Sequence, residues 1–193
     1  MGWAPDYVTA TDLKAYLKIT DALDDAQIAL AVTAASRAVD RYTNRQFGQL
    51  AAVEARKYTA QWDTSRCKWV VCIDDLMTTA GLIVATAAAI TDYSLRPTNA
   101  DLKGEPWTHI VLNTGGTGTE DAVTVTARYG WTVIPVAVQQ ATLLQASRLF
   151  TRKDSPYGVA GSPDLGSEMR LLAQVDPDVK VALGPYVRWW AAA

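Results

Sequence analysis

The sequence predicts an α+β fold: a small helical bundle of N-terminal and C-terminal helices with an antiparallel β-domain inserted between them. Two observations carry this expectation. Apolar residues recur every three or four positions before residue 50 and after residue 131, but every second position in between. Clusters of Gly, Pro, Asn and Asp divide the middle stretch into short runs and leave the flanks longer. The expected organisation is a helical part made of 1–50 and 131–193, with 51–130 as the inserted β-domain.

The first element is a short helix over 9–19. Thr9 or Thr11 is placed to cap it, Asp12 sits in the first turn, and Leu13, Tyr16 and Leu17 make an apolar stripe. A second helix is expected over about 24–44. Its buried face is Ile28, Val32, Ala35, Val39 and Tyr42, its many alanines favour close packing, and Gly48 is a candidate end signal.

Strands are expected at 53–59, 69–73, 82–85, 93–96, 110–112 and 122–128. The clearest is VTVTARY, which puts Val123, Val125 and Ala127 on one face of a half-buried sheet. Helical periodicity resumes at Pro135, which suits a first turn, and runs to Lys153. A loop with Gly and Pro fills 154–167 and is long for a compact domain. A last helix is expected over 177–190, with Asp176 as cap and a break or kink at Gly184-Pro185.

Composition narrows the function. With 49% hydrophobic and 20% charged residues the chain is globular and not disordered. A net charge of −2 argues against coating nucleic acid through bulk positive charge. The opening residues lack a basic region followed by an apolar run, so a soluble protein made in the cytoplasm is expected. The longest apolar stretch, 81–90, is half a membrane span.

The residues that carry chemistry are sparse. His109 is the only histidine and has no Ser or Cys nucleophile at motif spacing, which removes most Ser–His and Cys–His chemistry. Cys67 and Cys72 are the only cysteines, are expected as free thiols, and lack the partners of a zinc site. Asp24-Asp25 reads as a helix start, and neither it nor Asp74-Asp75 lies in a calcium-loop pattern. NTGGTGTED at 113–121 leads into a strand and lacks the P-loop lysine, so a hairpin tip is preferred to a phosphate cradle. No catalytic residue, metal ligand or cofactor is expected. Arg37, Arg41 and Arg45 recur every four residues as a basic ridge, either solvated or facing acidic groups of a neighbouring subunit. Tyr186, Trp189 and Trp190 either pack on the chain itself or serve a partner.

Several stretches together resemble a known family. YVTATDLKAYLKI, then DDAQIALAVTAASRAVDRYTNRQF, look like the opening of head-to-tail connector (adaptor) proteins of tailed bacteriophages. IDDLMTTAGLIV, TDYSLRP, VTVTARYGW, IPVAVQQATLLQASRLFTRKDSPYGVAG and DPDVKVALGPY look like the longer form with a β-domain found in phages of actinobacteria. The resemblance covers nearly the whole chain in order, and is weakest at 60–70.

The resemblance implies a structural virion protein of the neck. Such a protein forms a twelvefold ring of its own copies under the portal protein at the capsid vertex. It extends the channel for double-stranded DNA and carries a stopper or tail-completion protein. On that reading Asp24, Asp25, Arg37, Arg41, Arg45, Arg148 and Arg152 serve subunit contacts, and the helices at 24–44 and 135–152 build the ring wall. Val179, Leu183, Tyr186, Trp189 and Trp190 reach the portal. A closing ring needs a head-to-tail interface, and a slightly acidic chain suits a channel through which DNA slides. The alternatives are a stopper or tail-completion protein and, from another class, a small DNA-binding or enzymatic phage protein.

Overall fold

The computed structural model describes residues 3–154, 159–160, 169–170 and 176–189. Two compact units divide the chain: Met1–Gln46 with Ile134–Ala193, and Phe47–Val133. The first is helical and the second is built of strands, so the fold is α+β with two antiparallel four-stranded sheets.

In the helical unit α1 spans Ala10–Leu17, α2 Asp25–Thr43, α4 Val136–Thr151 and α5 Pro177–Leu183. The short α3, Ala100–Lys103, belongs to the other unit. Thr9 caps α1 reciprocally: its hydroxyl accepts from the Asp12 amide, and the Asp12 carboxylate accepts from the Thr9 amide and hydroxyl. These bonds hold the Asp12 carboxyl below its ordinary range. Leu13 is fully buried, but Tyr16 is exposed, so the apolar stripe of α1 is narrower than its spacing predicts. The buried face of α2 carries Ile28, Val32, Ala35 and Val39, and the first three join Leu13, Ala146 and Phe150 in one cluster. Helix α2 ends at Asn44, in the left-handed region, and not at Gly48. Helix α5 begins at Pro177 with Asp176 accepting from the Asp178 amide, and the chain tightens into a 3-10 turn at Gly184–Tyr186. The helix expected to reach 190 therefore stops at Leu183, where Gly184-Pro185 breaks it.

The β unit holds β1 Glu54–Tyr58, β2 Ala60–Asp63, β3 Lys68–Leu76, β4 Ile83–Ala85, β5 Ala89–Ile90, β6 Tyr93–Arg96, β7 Trp107–Leu112 and β8 Val123–Ala127. One sheet has the order β1-β8-β4-β5 and the other β2-β3-β7-β6. The single layer read from the sequence is thus a pair of sheets sharing one core. Val71, Ile73, Ile110 and Leu112 come from one sheet, and Val84, Val123, Val125 and Ala127 from the other. Alternation along β8 places Val123, Val125 and Ala127 inward, all fully buried.

The glycine-rich stretch 113–121 is not a hairpin tip. It carries the chain from β7 in one sheet to β8 in the other, and it lies under Trp69. A Cβ on Gly116 would stand 2.3 Å from the Trp69 ring, so the glycines are selected by packing and not by an anion. Outside the main sheets, β9 Val159–Ala160 pairs antiparallel with β10 Met169–Arg170. The remainder of the loop singled out at 154–167, past Asp154, lies outside the described residues.

The two ends of the β unit meet. Gly48 accepts from the Trp131 amide at 2.7 Å, Gln49 bridges Gly130, and the Phe47 and Trp131 rings lie 5.1 Å apart. The Gly130 amide donates to the Asp75 carbonyl at 2.7 Å, and the Trp131 indole donates to the Asp75 carboxylate at 2.8 Å. Gly130 has φ +106, and a Cβ there would stand 2.0 Å from the Gly48 carbonyl oxygen. Gly130→Ala is therefore expected to cost about 2–4 kcal/mol through strain and overpacking, read as a fall in the urea midpoint of unfolding.

A second test concerns the α1 cap. Thr9→Ala is expected to cost about 1 kcal/mol at neutral pH. The Asp12 carboxyl is lowered in the folded state, so its share of the stability is present above its unfolded value of 3.8 and is lost as pH falls through the lowered folded value. The gap between wild type and variant, measured by urea titration from pH 6 to pH 2, is expected to narrow at the acid end.

Candidate assembly surface

The surface begins with what the helical unit has already paired. Asp24 binds Lys153 at 2.7 Å and Asp25 binds Lys14 at 2.7 Å. Arg148 on α4 binds Asp176, the cap of α5, at 2.5 Å. Arg37 donates to the Pro5 carbonyl at 2.5 Å and pairs with Asp40 at 3.2 Å, one turn along α2. Four of the charged residues read from the sequence as subunit contacts thus have partners within their own chain. Arg41 is exposed on α2, Arg45 lies beyond the helix end, and Arg152 sits at the end of α4. The basic ridge is therefore interrupted, because α2 ends before Arg45 and Arg37 turns toward the N-terminal segment.

That segment, residues 3–8, runs along one flank of α2. The Tyr7 amide donates to Ser36 Oγ at 3.2 Å, the Tyr7 hydroxyl donates to Asp40, and Thr33 donates to Asp6 at 3.0 Å. Tyr7 and Val8 are buried. Burial pushes the Asp40 carboxyl above its ordinary range, with Asp6 adding to the rise. The Tyr7 hydroxyl and the Arg37 guanidinium act in the opposite direction.

The face of α2 opposite its buried side remains open. Leu30 is 70% exposed, Ala26, Thr33, Ala34 and Arg41 are exposed on the same face, and Leu23 is 90% exposed just before the helix. Sequence periodicity identified the buried face of α2 but did not single out Leu23 and Leu30. The available signal was their place opposite Ile28 and Val32.

At the C-terminal end, Val179 and Leu183 are fully buried in their own unit, and Tyr186 is half-buried. The Arg188 amide donates to the Thr43 carbonyl at 2.8 Å, and the Asn44 side chain donates to the Arg188 carbonyl at 3.3 Å. These bonds tie the last described segment to the end of α2 and satisfy a helix-terminal carbonyl. Trp189 follows directly and is 87% exposed. Trp190 lies outside the described residues.

In the β unit several polar residues pair with one another. Asp74 accepts from Arg56 at 2.7 Å and from Tyr58 at 2.9 Å, and the Arg56 guanidinium lies 4.3 Å from the Tyr129 ring centre. Burial pushes the Tyr58 hydroxyl far up and that of Tyr129 up to about 12, so both stay protonated donors. His109 is exposed on β7 with Nδ1 2.9 Å from the Thr108 hydroxyl. Cys67 and Cys72 are exposed and are not joined in a disulfide. Among the described residues no three His, Cys, Asp or Glu side chains are grouped to hold a metal, and no helix is long and apolar enough to cross a membrane.

This fold has solved counterparts in the neck and virion of a gene transfer agent particle. A chain in the neck of the empty particle, computed with C6 symmetry, matches with a TM-score of 0.57 and 15% identity. The match covers 100% of this chain and 95% of that one. A chain in the virion of the native particle matches with a TM-score of 0.53 and 14% identity, over 100% and 95% of the two chains. No protein-family model and no curated protein matches the sequence. At this identity the likeness establishes the shared fold.

The Arg148–Asp176 pair offers a direct test of the ion pairs that fix α5. Both side chains are partly exposed, so solvent screens the pair. Arg148→Met is expected to lower stability by no more than about 1 kcal/mol. The loss should shrink when the urea titration is repeated at about 1 M salt, where the Debye length is ~3 Å.

Proposed function

We propose that this chain is a structural neck protein of a tailed-phage-like particle, acting as a head-to-tail adaptor without catalytic activity. The observation that carries the reading is the fold shared along the whole chain with a neck component of a gene transfer agent particle. The sequence resemblance to phage connectors, drawn from different data, points the same way.

On this reading copies of the chain form a closed ring below the portal protein. Twelve copies are expected, and a neck computed with sixfold symmetry suits a ring whose copy number is a multiple of six. The open face of α2 supplies one side of the subunit contact, with Leu23 and Leu30 as apolar anchors and Arg41 as a cation at the rim. Asp24, Asp25, Arg37, Arg45, Arg148 and Arg152 act around that contact, mostly by fixing the helix ends. Trp189 meets the portal: a tryptophan this exposed on an anchored segment is a suitable hot spot. Val179 and Leu183 support that segment from inside the unit. Double-stranded DNA passes through the lumen without specific binding, and the stopper or tail-completion protein docks on the far side. The protein would be made in the host cytoplasm and reside in the virion.

Negative-stain electron microscopy of the chain with the portal ring of its particle tests the reading. Added density on the narrow end of the portal, with the portal's rotational symmetry, is expected. Trp189→Ala should abolish this density with an unchanged melting temperature. Leu30→Asp should leave the monomer folded and prevent the ring. Binding to an adaptor instead of the portal would replace the proposal with the stopper reading.

A further inference from the structure

We propose that a groove in the helical unit receives the Arg41 side chain of a second copy of this chain. The inference rests on the adaptor reading and names the surface that the open face of α2 meets. The groove has a volume of about 510 Å³ and is formed by residues 6–12, α2 and the first turn of α4. Its lining combines the apolar Val8, Ala10, Ala29 and Val32 with the carboxylates of Asp6 and Asp12.

Charge identifies the occupant. In this unit Asp24, Asp25, Asp40 and Asp176 each hold a Lys or Arg of their own chain. Asp6 and Asp12 hold none among the described residues: Asp6 accepts from the Thr33 hydroxyl, and Asp12 accepts from Thr9. The bonds from Thr9 keep Asp12 below its ordinary range, so it is charged at neutral pH. Each carboxylate has lone pairs to spare. Two negative charges in a groove with apolar walls suit a guanidinium on a long aliphatic stem. The stem packs on the walls, and the planar fork bonds the carboxylates.

Arg41 is the matching cation. It is exposed, and it pairs with no carboxylate among the described residues. It shares a face of α2 with Leu30 and Ala34, whereas Ala29, Val32 and Thr33 lie roughly a third of a turn away. One copy thus gives a cation from one face and receives one at another. Contact between unlike patches passes from copy to copy until it closes in a ring. The counterpart neck, computed with C6 symmetry, repeats its chains around one axis in this way.

Short-range crosslinking of the full-length chain tests the proposal. In a background of Cys67→Ser and Cys72→Ser, one preparation carries Ala29→Cys in the groove and another Ala38→Cys, one turn before Arg41. The two are mixed, with and without the portal ring, and treated with a short bis-maleimide. A crosslink between positions 29 and 38 is expected by mass spectrometry. Arg41→Asp should lower its yield about tenfold, Asp6→Arg should do the same, and the two together should restore it, as for one charge-assisted pair. Melting temperatures check that each variant folds. Should Asp6→Arg not fold, Arg41→Lys decides: it keeps the charge and should keep most of the crosslink that Arg41→Asp loses. Absence of the crosslink from both mixtures, or no restoration in the double variant, would overturn the inference. Portal density in the same samples would then leave the adaptor reading standing. The crosslink in a chain that binds no portal would keep the groove contact and remove the adaptor reading.

Discussion

The closure of the β unit on itself is the constraint on which the chain's arrangement rests. A long insertion between two helices carries a closure entropy that grows with its length, and that cost falls on the helices unless the insertion ties its own ends. Here it does so. Gly48 and Gly130 are in backbone contact, Asp75 holds both the Gly130 amide and the Trp131 indole, and Phe47 packs on the Trp131 ring. The two ends of the β unit are thus adjacent, and α2 and α4 pack against each other in the helical unit despite their separation in sequence. Gly130 is the least replaceable residue of this closure, since both its φ and the space around it exclude a side chain.

In the helical unit the polar groups at the helix ends are settled within the chain. Lys14, Lys153, Arg148, Asp24, Asp25 and Asp176 pair among themselves, and Arg188 and Asn44 close the end of α2. Several large apolar side chains of this unit are exposed, among them Leu23, Leu30, Val136, Val181 and Trp189. Exposed apolar side chains beside paired charges suit the packing contacts on which the proposed neck role draws. Burial displaces Asp40, Tyr58 and Tyr129 upward, and hydrogen bonds to neighbouring residues hold Asp12 and Asp63 down.

Much of this was legible in the residues, for definable reasons. Thr9 with Asp12, and Asp176 with Pro177, are short-range signals, and the capping geometry they imply is present. The alternation in VTVTARY fixed the inward face of β8 because the side-chain period of a strand leaves no other choice. Other elements were hidden. Strand β2 was not among the expected strands, since Ala60–Asp63 has no alternating apolar pattern and is held by pairing with β3. The glycines at 113–118 resembled a mobile tip because the ring that presses on them, Trp69, is distant in sequence. The candidate contacts were legible as residue types but not as surfaces: Asp24, Asp25, Arg37 and Arg148 are charged in the sequence and paired in the fold.

By itself the sequence determined the order of the long helices and of most strands, the caps of α1 and α5, and the buried stripe of α2. These follow from local rules of spacing and from composition, which need no partner elsewhere in the chain. Only the tertiary structure decided that the β-layer is two sheets around one core and that YTNRQF and ARYGW contribute the Phe47 and Trp131 rings that meet. It alone placed residues 3–8 on α2, and Val179 and Leu183 inside while Trp189 stays outside. Each of these depends on contacts between residues far apart in sequence, and long-range packing is not encoded in any local period.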